Sequence, residues 1–253
     1  MNFDRKIRQG EIVKFVNIVG LFIFSSFFGV TVVADDHAET GPFYAFYHLQ
    51  TLNPASIVAA TDKFWDSDCG KKYPADVALS AEAFNGGNSS THFIINTFQT
   101  SEDQALAAEI MRSCPDARVF LENIYSDARP TNQYMGSAHI DENDWTQDSV
   151  FAKYDIIVEP QNQAAYAAAF ADMMKKVSQD VDLRSYGLGA VNYGRDNFTH
   201  WVWTGARSIP ELSAISEKLQ SHSAFAEFNS KVGDIRTIVN TTQVEIIKGY
   251  ERQ

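Results

Sequence analysis

The sequence predicts an α+β fold in which one chain carries two copies of a β-α-β-β-α-β unit. Three observations predict it. The segment Thr91–Phe98 (THFIINTF) returns 108 positions later as Thr199–Ala206 (THWVWTGA). The patterns that flank the two segments follow the same order, and the later segment is apolar on both of its faces. An internal duplication defines the structural unit that the chain repeats, so each copy can be read separately.

Alternating apolar residues predict strands, and apolar residues at helical spacing after a Ser, Asn or Pro start signal predict helices. Pro54 fits a first helical turn, where its missing N–H has no partner to lose. The first copy reads as a strand at Phe43–Thr51, a helix from Asn53-Pro54 to Asp66, strands at Val77–Phe84 and Thr91–Phe98 around the turn Asn85–Asn88, a helix from Ser101 through Met111, a short helix at Pro115–Ile124 and a strand at Gln133–Ile140.

The second copy repeats this order, and the boundaries of the two repeats follow from it. Its elements are a strand at Phe151–Val158, a helix led by Pro160 to Val177, strands at Tyr186–Tyr193 and Phe198–Arg207, a helix led by Pro210 to Leu219, a short helix at His222–Lys231 and a strand at Thr237–Lys248. We therefore divide the chain into a signal peptide at 1–34, a tail at 35–42, repeat 1 at 43–141, a linker at 142–149 and repeat 2 at 150–253.

Each repeat has the order of a ferredoxin-like unit, whose two helices cover one face of a four-stranded sheet and leave the other bare. In the segment 199–206, Trp201 and Trp203 occupy one face, and His200 and Val202 the other, so neither face is suited to water. The chain therefore resembles the dimeric α+β barrel superfamily, in which two ferredoxin-like units pack sheet on sheet. The resemblance covers about 43–250 and implies an intrachain pseudo-dimer.

The N-terminal segment has the pattern of a secretory signal. Basic residues precede an apolar run at Phe15–Ala34, and Val32 and Ala34 are small residues at the positions that a signal peptidase reads. Cleavage after Ala34 would give a periplasmic or secreted protein. An uncleaved membrane anchor is the alternative, since about 20 residues can span a bilayer. Cleavage would also expose Asp35-Asp36-His37, a donor set suited to Cu(II) or Ni(II), although chance accounts for most such termini.

Charge and cysteine content exclude several functions. The formal net charge of −11 argues against nucleic-acid partners and against anionic membrane surfaces, both of which attract basic patches. Cys69 and Cys114 are the only cysteines, and in an oxidising compartment such a pair is a disulfide candidate. The spacing of the two cysteines does not indicate a metal centre, and we expect no metal and no cofactor. The expected partner is a small molecule, and a homo-oligomer is an option.

The first repeat carries the leading candidate site. His48, His92 and Glu82 lie on predicted strands and are the catalytic candidates, with Tyr47 and Asn96 as ligand-binding neighbours. At an offset of 108, His48 and His139 face Ile156 and Ile247, and Glu82 lies against Ala190, so these polar residues belong to one copy only. His92 recurs as His200, which favours a packing or hydrogen-bonding role for that pair.

The second repeat offers a different set of candidates, although aromatic residues at such positions commonly form core. The candidate ligand-binding residues are Tyr186, Trp201, Trp203, Arg207 and His200, with Asn192 and Tyr193 nearby.

No catalytic motif such as G-x-S-x-G or H-E-x-x-H is present, so the first hypothesis is small-molecule binding without turnover. The alternative is a cofactor-independent monooxygenase or isomerase acting on a small apolar or aromatic substrate. The resemblance implies Asn, Trp, His and Tyr side chains in a cavity between sheet and helices, and Asn96, Trp203, His92 and Tyr47 are residues of these types. Two further readings are a haem barrel of the chlorite dismutase type, with His222 as axial ligand, and a structural role in which the outer surface binds a partner protein.

Overall fold

The computed structural model describes residues 42–194 and 197–253. The predicted signal segment and the Asp35-Asp36-His37 motif lie outside the described residues. None of the described helices is both long and apolar enough to cross a membrane.

The two repeats have the same order of elements, as the sequence predicts. Repeat 1 contains β1 (Phe43–Thr51), α1 (Pro54–Trp65), β2 (Asp76–Ala83), β3 (His92–Phe98), α2 (Ser101–Ser113), α3 (Pro115–Asp127) and β4 (Ala128–Glu142). Repeat 2 contains β5 (Val150–Val158), α4 (Gln163–Val177), β6 (Tyr186–Tyr193), β7 (His200–Ala206), α5 (Ile209–Ser221), α6 (Ser223–Val232) and β8 (Arg236–Tyr250).

The eight strands form a closed barrel in the order β1-β3-β2-β8-β5-β7-β6-β4, with every neighbouring pair antiparallel. Within a repeat the order is β4-β1-β3-β2 or β8-β5-β7-β6, which is the ferredoxin-like arrangement. The repeats join because β4 pairs with β6, and β8 pairs with β2. The predicted α+β pseudo-dimer of two ferredoxin-like units is confirmed, and closure removes every exposed sheet edge.

The last strand of each repeat is longer than the sequence pattern predicts. β4 has 15 residues instead of the segment Gln133–Ile140, because its first part pairs with β1 and its second part with β6. β8 has the same length and the same double role. The start of β4 is polar and exposed, so hydrophobic alternation does not mark it.

Both faces of β7 are buried, as its sequence pattern predicts. Aromatic side chains pack in the barrel interior, among them Tyr44, Phe46, Tyr134, Trp201 and Trp203. Outside the barrel, α1–α3 cover repeat 1 and α4–α6 cover repeat 2, each over its own apolar cluster.

Three glycines make room for the two tryptophans of β7. A Cβ atom on Gly189 would lie 2.1 Å from the Trp201 ring, and one on Gly187 would lie 2.2 Å from the Trp203 ring. On the other side of Trp201, a Cβ atom on Gly136 would lie 2.6 Å from its ring. Large rings therefore pack directly onto bare backbone in this half of the barrel.

The repeated Thr-His pair is a hydrogen-bonding device at the strand ends. The Thr91 hydroxyl oxygen accepts a bond from the Thr51 backbone N–H (3.0 Å) and donates to the Thr51 carbonyl (3.2 Å). Thr199 accepts the equivalent bond from Val158 N–H at 2.9 Å. In each copy the Nδ1 atom of the following histidine lies within hydrogen-bonding distance of the threonine Oγ1, at 2.9 Å for His92 and 2.7 Å for His200. The threonines thus satisfy backbone groups where β1 and β5 end.

The offset between the repeats is not uniform along the chain. From the strand pairings, equivalent residues of β3 and β7 differ by 108 in residue number. The difference is one residue shorter between β1 and β5, and one residue longer between β2 and β6. The expected partners of two candidate residues are therefore wrong, because single-residue length differences lie in the loops. The corrected alignments are His48 with Asp155 instead of Ile156, and Glu82 with Val191 instead of Ala190.

Candidate functional site

A cavity of about 750 Å³ lies in repeat 1 between the sheet and helices α1–α3. Most of its wall is apolar or aromatic, and its polar groups come from Tyr, Asn, Gln, Thr and one His. The residues that surround it include Tyr47, Phe64, Trp65, Tyr73, Ile94, Asn96, Phe98, Ala107, Met111, Phe120, Ile124 and Tyr125. No Asp, Glu, Lys or Arg is among the described residues that line it.

Two buried polar side chains meet inside this cavity. Asn96 Nδ2 donates a hydrogen bond of 2.9 Å to Tyr73 Oη. Burial raises the pKa of the Tyr73 phenol, the nearby Tyr47 adds to the increase, and the bond from Asn96 opposes it. Tyr73 therefore stays protonated, so its O–H group can donate to a ligand oxygen.

The local chain explains how these two groups reach the cavity. Asn96 lies on β3 between Ile95 and Thr97, and strand alternation turns those two neighbours into the barrel. Tyr73 follows a short 3₁₀ turn, Gly70–Lys72, after α1. A Cβ atom on Gly70 would lie 2.0 Å from the Phe64 carbonyl oxygen, so only glycine allows the chain to turn this closely.

Tyr47 and Tyr125 stand at the open side of the cavity, where they are 43% and 59% exposed. Burial of its hydroxyl end raises the pKa of Tyr47, and the nearby Tyr125 hydroxyl raises it further.

Beside the cavity, Cys69 and Cys114 form a disulfide, with their Cα atoms 6.3 Å apart. It links the end of α1 to the junction of α2 and α3.

His48 and Glu82 form a buried pair on the other side of the sheet. His48 Nδ1 lies 3.2 Å from Glu82 Oε2, and the Glu82 side chain is 2% exposed. The His48 ring packs on Phe93 and Tyr134 in the barrel interior, with ring centroids 5.2 and 5.6 Å away. Burial acts to raise the pKa of Glu82, but the hydrogen bond and charge of His48, aided by Ser90 and Lys153, lower it below its usual value.

The structure divides the first candidate constellation in two. His48 and Glu82 face the barrel interior, whereas Tyr47 and Asn96 face the helices and line the cavity. His92 lies at the start of β3, outside the residues that line the cavity. Burial lowers the pKa of His92, and the charge of Glu82 opposes that shift.

A second ion pair in the barrel was not among the sequence candidates. Lys153 and Asp155 on β5 form a salt bridge, with side chains that are 6% and 8% exposed. The Lys153 ammonium also lies 5.8 Å from the Tyr134 ring centroid and 5.4 Å from that of Phe198. The signal was present in the sequence, because the two charges alternate with apolar residues and so share one face of the strand.

The candidates of repeat 2 do not converge on one pocket. The rings of Trp201 and Trp203 pack in the barrel interior, and His200 is buried on the opposite face of β7. Arg207 is exposed and donates to Glu211 Oε1 at 2.5 Å. Tyr186 lies at the edge of the repeat 2 core, where burial and the nearby Glu142 raise its pKa.

In repeat 2, the space that corresponds to the cavity is filled. Tyr166, Phe170 and Met174 of α4 and Phe228 of α6 are each 4% exposed or less and pack together over the sheet. The two halves share one topology, yet the helix-covered side of repeat 1 borders a cavity of about 750 Å³, whereas buried side chains pack together at the corresponding place in repeat 2.

The remaining histidines are placed as follows. His139 lies exposed on β4, with its ring centroid 6.5 Å from that of His200. Both ring nitrogens of His222 have partners, since Nδ1 accepts from the Ala224 N–H and Nε2 lies 3.1 Å from Asp180 Oδ2.

No protein-family model and no curated protein matches this sequence. Solved structures do match its fold. A proposed monooxygenase from Fusobacterium nucleatum superposes with a TM-score of 0.57 at 15% identity, over 84% of this chain and 95% of its own. An anthrone oxidase-like protein gives 0.56 at 12% identity, over 84% and 94%. A proposed chlorite dismutase gives 0.52 at 10% identity, over 83% and 96%.

This chain has the dimeric α+β barrel fold, with both halves in one polypeptide. At these identities the likeness shows the fold alone, and a shared fold does not fix the function.

Proposed function

We propose that the repeat 1 cavity binds a small, neutral, largely aromatic molecule. The observation that carries this proposal is the difference between the two halves, which build the same layers but fill only one of them. Protein interiors are close-packed, and a volume of this size falls within the range of small-molecule sites. A space that one repeat fills and the other leaves open is best explained by a ligand.

The wall of the cavity indicates what the ligand is like. The described lining carries no acid and no Lys or Arg, so a charged ligand would lose its hydration without gaining a partner. Aromatic side chains such as Trp65, Phe64 and Phe120 offer faces and edges to a ring system. The Tyr73 hydroxyl and the Asn96 amide then bind one oxygen of the ligand and fix its orientation.

A fluorescent probe tests the site directly. N-phenyl-1-naphthylamine is neutral and aromatic, and its emission rises when it enters an apolar cavity. Ala107 on α2 is buried and lines the cavity, whereas Ala105 on the same helix is exposed. We expect Ala107→Phe to weaken binding of the probe at least tenfold and Ala105→Phe to leave it unchanged. Equal affinities in the two variants would place the probe elsewhere and remove the proposal.

A second candidate is cofactor-independent oxygenation of a hydroxyaromatic substrate in the same cavity. Two structures of the same fold are described as a proposed monooxygenase and an anthrone oxidase-like protein. In such a reaction a substrate methylene loses a proton and its carbanion passes electrons to O₂, so that CH₂ and O₂ give C=O and water. Tyr73 and Asn96 would stabilise the substrate oxyanion by hydrogen bonds.

The cavity supports binding better than catalysis. Because its pKa is raised, Tyr73 is a hydrogen-bond donor and not a base. The His48 ring packs in the barrel interior. Oxygen uptake with 1,8-dihydroxyanthrone as substrate separates the candidates. Oxygen uptake above the uncatalysed rate that falls at least tenfold in Tyr73→Phe would establish the oxygenase. No oxygen uptake, together with tight binding of the probe, would support ligand binding without catalysis.

The described residues do not fit a haem in this cavity. Haem needs an axial ligand, and the one histidine in the cavity wall, His48, turns its ring into the barrel and pairs with Glu82. Both ring nitrogens of His222 are already engaged. The proposal therefore includes no haem chemistry.

We also propose that the protein is exported and cleaved after Ala34. The N-terminal pattern supports this, and so does the disulfide between Cys69 and Cys114, because disulfides persist in oxidising compartments. Intact-mass measurement of the protein from the extracytoplasmic fraction should give a chain that begins at Asp35. A mass that retains the first 34 residues would favour the membrane anchor.

A further inference from the structure

The two repeats have the same elbow between their second and third helices. In repeat 1, Cys114 ends α2 and begins α3. In repeat 2, His222 ends α5 and begins α6 at the equivalent position. Both elbow residues have extended backbone angles, with φ and ψ of −85° and 131° at Cys114 and −73° and 137° at His222. Each repeat therefore turns its helical layer at one residue.

Each elbow is tied to the segment that follows the first helix of its own repeat, but by different chemistry. Cys114 is bonded covalently to Cys69, which follows α1. His222 Nε2 lies 3.1 Å from the carboxylate of Asp180, which follows α4. The tie of repeat 2 is partly exposed and non-covalent, whereas that of repeat 1 is a bond that only reduction can open.

The helical layers beneath the two elbows also differ, because one covers a packed core and the other covers the cavity. The second elbow lies over a packed core, in which Phe228 of α6 contacts Tyr166 and Phe170 of α4. In repeat 1, α2 and α3 form the roof of the cavity, and side chains such as Met111 and Phe120 border open space. Because the inner side of the roof borders this cavity, the covalent tie helps to hold the roof in position.

We propose that the Cys69–Cys114 disulfide is a redox-sensitive clasp that sets the affinity of the cavity for its ligand, an inference that rests on the proposed function. With the bond closed, the roof stays in the binding position. A dithiol reductant opens the bond by supplying two electrons and two protons, which yields two cysteine thiols and the oxidised, cyclic dithiol. Cys114 is partly exposed, which gives the reductant access.

The expected effect follows from the population of the closed roof. A ligand that binds only the closed form has its affinity reduced by the fraction of protein in that form. If opening the bond leaves the roof closed about a tenth of the time, the probe binds about tenfold more weakly.

The test uses the exported protein and N-phenyl-1-naphthylamine, titrated before and after treatment with dithiothreitol. We expect the Kd to rise about five- to tenfold on reduction, and the Cys69→Ser/Cys114→Ser variant to match the reduced protein and to ignore dithiothreitol. Asp180→Asn is the matched control, because it loosens the elbow over the packed core. It should bind the probe as the wild type does and respond to reduction in the same way.

Each other outcome has a distinct meaning. Equal affinities for the oxidised and reduced protein would overturn the clasp and leave the proposed function intact. Loss of near-UV circular dichroism on reduction, or equal weakening by Asp180→Asn, would also overturn it, because the effect would not be local to the cavity roof. Failure of the oxidised protein to bind the probe would remove the proposed function itself.

Discussion

Replacing Asp155 with leucine is expected to lower the free energy of unfolding by about 3–5 kcal/mol. The change leaves the Lys153 ammonium, whose side chain is 6% exposed, without its carboxylate partner inside the barrel. The neighbouring Tyr134 and Phe198 rings attract the cation only weakly in comparison, by about 0.5–2 kcal/mol. For a chain of this size the loss corresponds to a fall in Tm of about 6–20 °C.

The double variant Lys153→Met/Asp155→Leu distinguishes the cost of an unpaired buried charge from the cost of removing the whole ion pair. Two apolar side chains of similar volume avoid the cost of burying charge, so the double variant should be within about 1 kcal/mol of the wild type. Urea unfolding followed by tryptophan fluorescence, to which the buried Trp201 and Trp203 contribute, gives these energies, and an unchanged m-value shows that the unfolding reaction is the same. A cost under about 1 kcal/mol for Asp155→Leu, or a double variant that loses as much as the two single variants together, would show that the unpaired charge is not what destabilises the barrel.

Three further predictions concern other parts of the barrel. The folded-state pKa of Glu82 is lowered, so the stability that its ionised carboxylate contributes is full above the unfolded-state pKa and is lost as pH falls through the folded-state value. The Glu82→Gln variant lacks this contribution. Its urea midpoint should therefore change less with pH than that of the wild type below about pH 5. Thr199→Val removes the bond from a buried backbone N–H and should cost about 1–3 kcal/mol in urea unfolding, and a loss below about 0.5 kcal/mol would deny the threonine its role at the strand end. Gly189→Ala places a methyl group against the Trp201 ring and should lower Tm by several degrees. Gly87→Ala should not lower Tm, because no atom lies within 4 Å of a Cβ atom added at that position. Similar Tm values for the two variants would contradict the packing of Trp201 on Gly189.

The fold was predictable because its signals are local and occur twice. The strands Phe43–Thr51 and Tyr186–Tyr193 have the predicted bounds, since alternation and punctuation mark both ends. Closure of the barrel depends on the length of β4, and its polar first residues gave no hydrophobic signal. Pairing between distant strands is a tertiary effect that a single strand does not encode.

The candidate site was only partly predictable, because a sheet separates residues that are neighbours in sequence. Tyr47 and His48 are adjacent and point to opposite faces, so the first lines the cavity and the second joins the barrel interior. A one-residue change in offset likewise gives His48 the counterpart Asp155. Tyr73 was missed because it lies after a 3₁₀ turn and outside every predicted strand and helix.

The duplication lets one fold hold both a packed half and a half with a cavity. Repeat 2 contributes a packed helical layer and the two tryptophans that pack in the barrel interior. Repeat 1 keeps the same strands and helices but encloses a cavity, with Tyr73 and Asn96 inside it. The pairings of β4 with β6 and of β8 with β2 join the two halves in one closed barrel.

A crystal structure of the protein soaked with N-phenyl-1-naphthylamine would show whether the repeat 1 cavity is a ligand site. We expect density for the probe between the repeat 1 sheet and helices α1–α3, beside Asn96 and Tyr73, and none in the corresponding space of repeat 2. A probe bound elsewhere, or a repeat 1 layer whose side chains collapse to fill the cavity, would contradict this expectation.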